Sequence, residues 1–160
     1  MKALPTVLLG AFLSVTGVAI AAGRASDPVV GTWKLDVAKS KFVHGPVLKD
    51  DTRIYEESPD GIMRVTLKML DSDGRETTLT RIFKEDGKDY PVNDSPGVDS
   101  ISETRVNANV AEYAEKKAGK TTLTGRRVLS QDGKMLTVTE KGTDETTGTE
   151  IEHTLVYERA

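Results

Sequence analysis

The stretch IMRVTLKMLDSDGRETTLTRIFK, residues 62–84, reads as two β-strands joined by a tight turn. In its first half Met63, Val65, Leu67 and Met69 fall on one face, with Arg64, Thr66 and Lys68 on the other. A period of two is the signature of a strand with one buried side. Asp73-Gly74 then supplies the turn, because glycine takes positive φ without a Cβ clash. Beyond it Leu79, Arg81 and Phe83 again share a face.

The same grammar repeats outward from this hairpin. Runs rich in Thr, Val, Ile and Tyr predict strands at 29–35, 52–57, 62–71, 75–84, 99–106, 109–117, 121–129, 135–141 and 149–158. Turn signals separate them, among them Pro59-Asp60-Gly61, Asp86-Gly87, Asn107-Ala108-Asn109, Asp132-Gly133 and Thr147-Gly148. Residues 109–117 also have helical propensity, and their place in the hairpin series favours a strand. A meander of about eight or nine antiparallel strands leaves two raw edges unless the sheet closes. The predicted fold is therefore all-β, a single antiparallel up-and-down barrel. Residues 36–51 read as a long connection with one short helical turn at most, and residues 141–150 as a long, mobile hairpin loop. Pro91 lacks an N–H for a central ladder, so 89–93 marks a strand end or edge, where Tyr90 either gates a mouth or caps the core.

The first residues carry a different signal. Lys2 precedes an apolar stretch from Ala3 to Ile20 that closes on Ala19-Ile20-Ala21. That order is read by signal peptidase and predicts cleavage after Ala21 and a periplasmic or secreted protein. Pro5, Gly10, Ser14, Thr16 and Gly17 dilute the run below what a membrane span needs, so no stable insertion is expected after cleavage. Cleavage leaves 139 residues and moves the net charge from −3 to −4. The domain organisation is then a signal peptide at 1–21, a short segment at 22–28 and a barrel at 29–160. A mildly acidic chain argues against nucleic acid as a partner. The absence of cysteine removes disulfides, thiolate metal sites and lipid anchoring through an N-terminal Cys, and the two histidines, His44 and His153, lie too far apart in sequence for a zinc motif. No metal or cofactor is expected.

Polar residues that alternation places among apolar inward neighbours are the candidate ligand-binding residues: Arg81, Arg127, His153 and Tyr157, with Tyr90 at the rim. Gathered in one barrel, they would form a cationic cluster able to hold the carboxylate of an anionic amphiphile. A buried arginine needs an anion, and the alternative source is a protein carboxylate such as Glu103, Glu112 or Glu140. No serine triad or carboxylate dyad is assignable, so no catalytic residue is named.

Gly31-Thr32-Trp33 near the start of the first strand resembles the G-x-W placement of lipocalin-like (calycin) barrels. The resemblance implies that Gly31 and Trp33 close the barrel's bottom, with Arg159 from the last strand packed on the tryptophan. Residues 31–42 together with Asp86–Val92, Gly125-Arg126-Arg127, Asp132-Gly133-Lys134 and Val156-Tyr157-Glu158 also look like a group of exported bacterial lipocalin-like proteins of largely uncharacterised chemistry. Nitrobindin-like barrels use a late histidine as a haem ligand. Here Lys34-Leu35-Asp36 stands where those proteins have further glycines, which favours a satisfied core histidine at 153. These readings imply an exported, non-catalytic binder of a small apolar or amphiphilic ligand, the inward arginines suiting an anionic one. The alternatives are a periplasmic protein-interaction module, such as an inhibitor or envelope-stress factor with a filled barrel, and thirdly an enzyme on a calycin scaffold.

Overall fold

A computed structural model of the chain describes residues 26–160. The predicted signal peptide, 1–21, and its expected cleavage site lie outside the described residues, as do residues 22–25. Eleven strands follow in chain order: β1 Gly31–Leu35, β2 Lys41–His44, β3 Leu48–Glu57, β4 Met63–Asp71, β5 Glu76–Phe83, β6 Tyr90–Pro91, β7 Ser100–Asn107, β8 Val110–Lys117, β9 Lys120–Leu129, β10 Met135–Thr143 and β11 Glu150–Arg159. All pairings are antiparallel, in the order β5-β4-β3-β1-β11-β10-β9-β8-β7-β6, with β2 added beside β11. The hairpin at 62–84 keeps the register its alternation implies, with Val65 opposite Arg81 and Leu67 opposite Leu79.

The sheet curls until its two ends meet. Asp86 bridges Thr104 just past the end of β5, and the Gly87 amide donates to the Glu103 carbonyl at 2.9 Å. Further along, β5 and β7 part, and residues 92–99 fill the space between them. There the Thr80 amide donates to the Asp94 carboxylate instead of to a strand. A barrel closed in this way has no long exposed edge.

The architecture is the predicted up-and-down barrel, with more strands than the predicted eight or nine. One extra strand comes from the connection at 36–51, which holds β2 and the first residues of β3. Residues 41–44 pair beside β11 with little burial and no alternating apolar face, so periodicity had nothing to register there. Residues 37–39 form a turn, with Lys39 N donating to Asp36 O and Ser40 N to Val37 O. The other extra strand is the pair Tyr90–Pro91 at the edge beside β7. Residues 110–117 are a strand. The loop after β10 is shorter than 141–150: it spans 144–149 and is tied down by the Asp144 carboxylate, which accepts from the Thr146 and Thr147 amides. β1 starts at Gly31 rather than Val29, because the Asp27 carboxylate accepts the Val29 amide at 2.8 Å and turns the chain under the barrel.

The two ends of the barrel differ. At one end the core closes around Trp33, Met63, Phe83, Leu129, Leu136 and Tyr157, all almost fully buried. At the other, the loops at 94–98 and 144–147 ring an opening into the interior.

Candidate ligand-binding cavity

The closed end is built from the first described residues upward. Trp33 Nε1 donates to the Val29 carbonyl at 2.8 Å, and the Arg159 guanidinium sits 4.3 Å from the centre of the Trp33 ring. Arg159 also donates to three carbonyls, those of Pro28, Val30 and Gly133, at 2.7, 2.9 and 2.8 Å. Gly31 has a φ of 140° and lies directly under this guanidinium; a Cβ there would come within 2.6 Å of Arg159 Nη1. The packed tryptophan and the paired arginine leave that end without a passage.

Above it lies a cavity of about 480 Å³, within the range of small-molecule sites. Its apolar wall comes from alternate residues of β4 and β5: Val65, Leu67, Met69, Leu79 and Phe83, with Ile101 from β7. Its polar wall is a set of buried arginines, each matched to carboxylates. Arg81 Nε donates to Glu115 at 3.0 Å and its Nη1 to Asp94 at 2.7 Å. Arg127 Nε donates to Glu103 at 2.8 Å, and its Nη2 reaches Glu85 and, at 3.3 Å, Asp27. Arg53 Nε donates to Asp51 at 3.1 Å and its Nη2 to Glu140 at 3.2 Å. Charges this deep persist only because they are paired and hydrogen-bonded.

Tyrosines complete the network. Tyr113 Oη donates to Glu140 at 2.6 Å, crossing β9 at Gly125, where any Cβ would collide with the Tyr113 ring. Tyr157 Oη donates to Asp51 at 2.6 Å, and the Arg53 guanidinium stands 4.9 Å from the Tyr157 ring centre. Burial pushes the hydroxyls of Tyr113 and Tyr157 well above the usual tyrosine range, so both stay protonated donors. Burial likewise raises the carboxyls of Glu103 and Glu115, against the pull of Arg127 and Arg81 respectively. Glu85 is pushed up to about 7, chiefly by burial.

The five candidate ligand-binding residues do not form one cluster. Arg81 and Arg127 both line the cavity, in separate carboxylate groups. Glu103 is the partner of Arg127, as the protein-carboxylate alternative had it. Glu140 serves Arg53 instead, and Glu112 is outside with Arg126. His153 packs edge-on against Phe42 with centroids 5.2 Å apart, its Nδ1 is 3.9 Å from Glu140, and burial lowers its pKa. Tyr157 belongs to the closed half of the core, and Tyr90 Oη donates to Asp86 at 3.1 Å at the barrel's rim. Sequence reasoning missed Arg53. Its signal was available, since Asp51, Arg53 and Tyr55 share the inward face of β3. Asp27 and Glu85 lie outside the strands, where alternation says nothing.

Fold and interior define a class: an antiparallel up-and-down barrel, closed at one end and hollow at the other. Comparison with solved structures agrees. The wild-type fluorescent protein UnaG is similar at a TM-score of 0.51 and 19% identity, over 82% of this chain and 96% of that one. A Schistosoma mansoni fatty acid binding protein in complex with arachidonic acid is similar at 0.52 and 14%, over 83% and 96%. At these identities the likeness is one of fold. No protein-family model matches the sequence, and no curated protein is similar to it by sequence.

Proposed function

We propose that this protein is a non-catalytic binder of a small apolar or amphiphilic molecule, acting in the periplasm or outside the cell after loss of residues 1–21. The cavity of about 480 Å³ carries this reading, since one of its walls is mainly apolar and its mouth is ringed by loops. A filled barrel, which the protein-interaction alternative requires, would leave no such space. The solved neighbour with arachidonic acid bound shows that a barrel of this shape can hold a long apolar molecule, which supports the reading. Export rests on Lys2, the apolar run and Ala19-Ile20-Ala21. Kinship with exported bacterial lipocalin-like proteins rests on the segments around Gly31-Thr32-Trp33 and Asp86–Val92. The test is native mass spectrometry with lipid extraction of the protein purified from periplasm or medium. The expected result is a chain beginning at Ala22 that carries one co-purified small molecule or takes up an apolar fluorescent probe. A bare mass with no uptake of the probe would overturn the reading.

A further inference from the structure

The charges inside the barrel do not balance, and the imbalance has a definite place. Arg53 is paired with two carboxylates, Asp51 and Glu140, and Arg81 with two, Asp94 and Glu115. Each group therefore holds one carboxylate more than its guanidinium neutralises. Counting every charged side chain that lines the cavity, six carboxylates face four guanidiniums. Arg75 is among the four, and it stands exposed at the mouth near Asp144 and Glu145.

The surplus converges on Glu115 and Glu140. Glu115 follows Tyr113 by two residues on the inward face of β8, and Glu140 lies opposite Gly125, which in turn lies opposite Tyr113. The Tyr113 ring crosses β9 over Gly125 and brings its hydroxyl to Glu140, and both carboxylates line the same cavity. Burial raises the Glu115 carboxyl, Arg81 and Arg53 pull it down, and the charge on Glu140 adds to the rise. In each carboxylate Oε1 takes the hydrogen bonds from the protein, and Oε2 accepts none among the described residues, although His153 Nδ1 lies 3.9 Å from that of Glu140. Neither Oε2 is among the sealed polar atoms of the core. A ligand carboxylate entering here would add a third negative charge beside two that already exceed their counter-ions. An ammonium would halve the surplus of two and supply donors to both open oxygens.

Resting on the proposal that the cavity binds an amphiphile, we propose that its ligand is a cationic one, a primary or secondary ammonium on an apolar body. The ammonium sits between Glu115 and Glu140, and the apolar part lies against Val65, Leu67, Leu79 and Phe83. Arg53 and Arg81 hold the two carboxylates in place and do not themselves receive the ligand. This reverses the charge expected from sequence, where the inward arginines suggested an anionic head group.

The test is displacement of N-phenyl-1-naphthylamine from the purified protein at neutral pH by three ligands of one chain length: dodecylammonium, dodecanol and dodecanoate. Dodecylammonium is expected to compete at a concentration at least tenfold lower than dodecanoate. Glu115→Gln and Glu140→Gln are each expected to cut the preference for dodecylammonium over dodecanol at least threefold, read as the ratio of the two on the same variant, with a cooperative thermal melt as evidence of an intact fold. Binding of dodecanoate as tight as that of dodecylammonium would overturn the cationic assignment and leave the binding function standing. So would variants that keep the full ammonium preference. Failure of the probe and of all three ligands to bind would instead overturn the binding function on which the assignment rests.

Discussion

Gly125 and Arg159 are two residues whose chemistry is set by a single close approach. At Gly125 the missing side chain lets the Tyr113 ring cross β9 and deliver its hydroxyl to Glu140. Gly125→Val would force the ring away and strand Glu140 beside Arg53 with one donor fewer. We expect a loss of about 1–3 kcal/mol, the usual cost of overpacking, read as a lower urea midpoint at unchanged slope. Tyr113→Phe separates the two contributions: it keeps the ring and removes the donor, with an expected loss of about 1–2 kcal/mol. A Gly125→Val variant as stable as the parent would show that the ring's path does not depend on that glycine. Arg159 combines a stacked guanidinium with three carbonyl contacts that span the first described residues and the β9–β10 turn. Lysine cannot reproduce that fork. Arg159→Lys should therefore lose most of the stability that Arg159→Ala loses, on the order of 1–3 kcal/mol. Full rescue by lysine in thermal melts would show that charge alone matters there.

At the scale of elements, the segment 92–99 stands where a barrel stave would otherwise run between β5 and β7. Its hold on β5 is a side chain: Asp94 accepts the Thr80 amide and an Arg81 N–H together. Asp94→Ala should free the Thr80 amide, which then exchanges with solvent at least tenfold faster, while amides of the β3–β4 ladder stay protected. Unchanged exchange at Thr80 would mean that the segment closes the gap without Asp94. This element also shows what could be read in advance. Pro91 marked an edge from sequence alone, because a residue without an N–H cannot sit inside a ladder. The hairpins were legible for a similar reason, since turn chemistry and period-two alternation are local. β2 was not, because it is held by its pairing with β11 more than a hundred residues away. The inward positions of Arg81 and Arg127 were also legible in the alternation of their strands, whereas their partners Asp94, Glu85 and Asp27 come from connections with no period to read. The sequence offered Arg127 either a ligand anion or a carboxylate such as Glu103, and in the fold Glu103 takes it, joined by Glu85 and Asp27.

For the molecule as a whole, one buried charge cluster that joins distant parts of the chain also holds a carboxyl with a displaced pKa. Asp27 from the first described residues, Glu85 after β5, Glu103 and Arg105 on β7 and Arg127 on β9 meet at the closed end. Burial, aided by the charge of Glu103 and opposed by Arg127, lifts Glu85 from about 4.5 to about 7. A raised carboxyl pKa means that the folded protein holds a proton which the unfolded chain has released. Stability from this source is complete below about pH 4.5 and falls as the pH rises through 7. Glu103 and Glu115 are raised as well and push the same way. His153, with its pKa lowered by burial, acts in the opposite sense below about 6.5, so the carboxylate effect is cleanest above that value. Glu85→Gln abolishes the titration and leaves an amide of the same shape. Urea midpoints measured from pH 5 to 8 should show the variant gaining on the parent as pH rises, by on the order of 1 kcal/mol at pH 8. Two parallel curves would mean that Glu85 ionises at its ordinary value. The Glu85 carboxylate would then be charged at neutral pH within a group of three carboxylates and two guanidiniums.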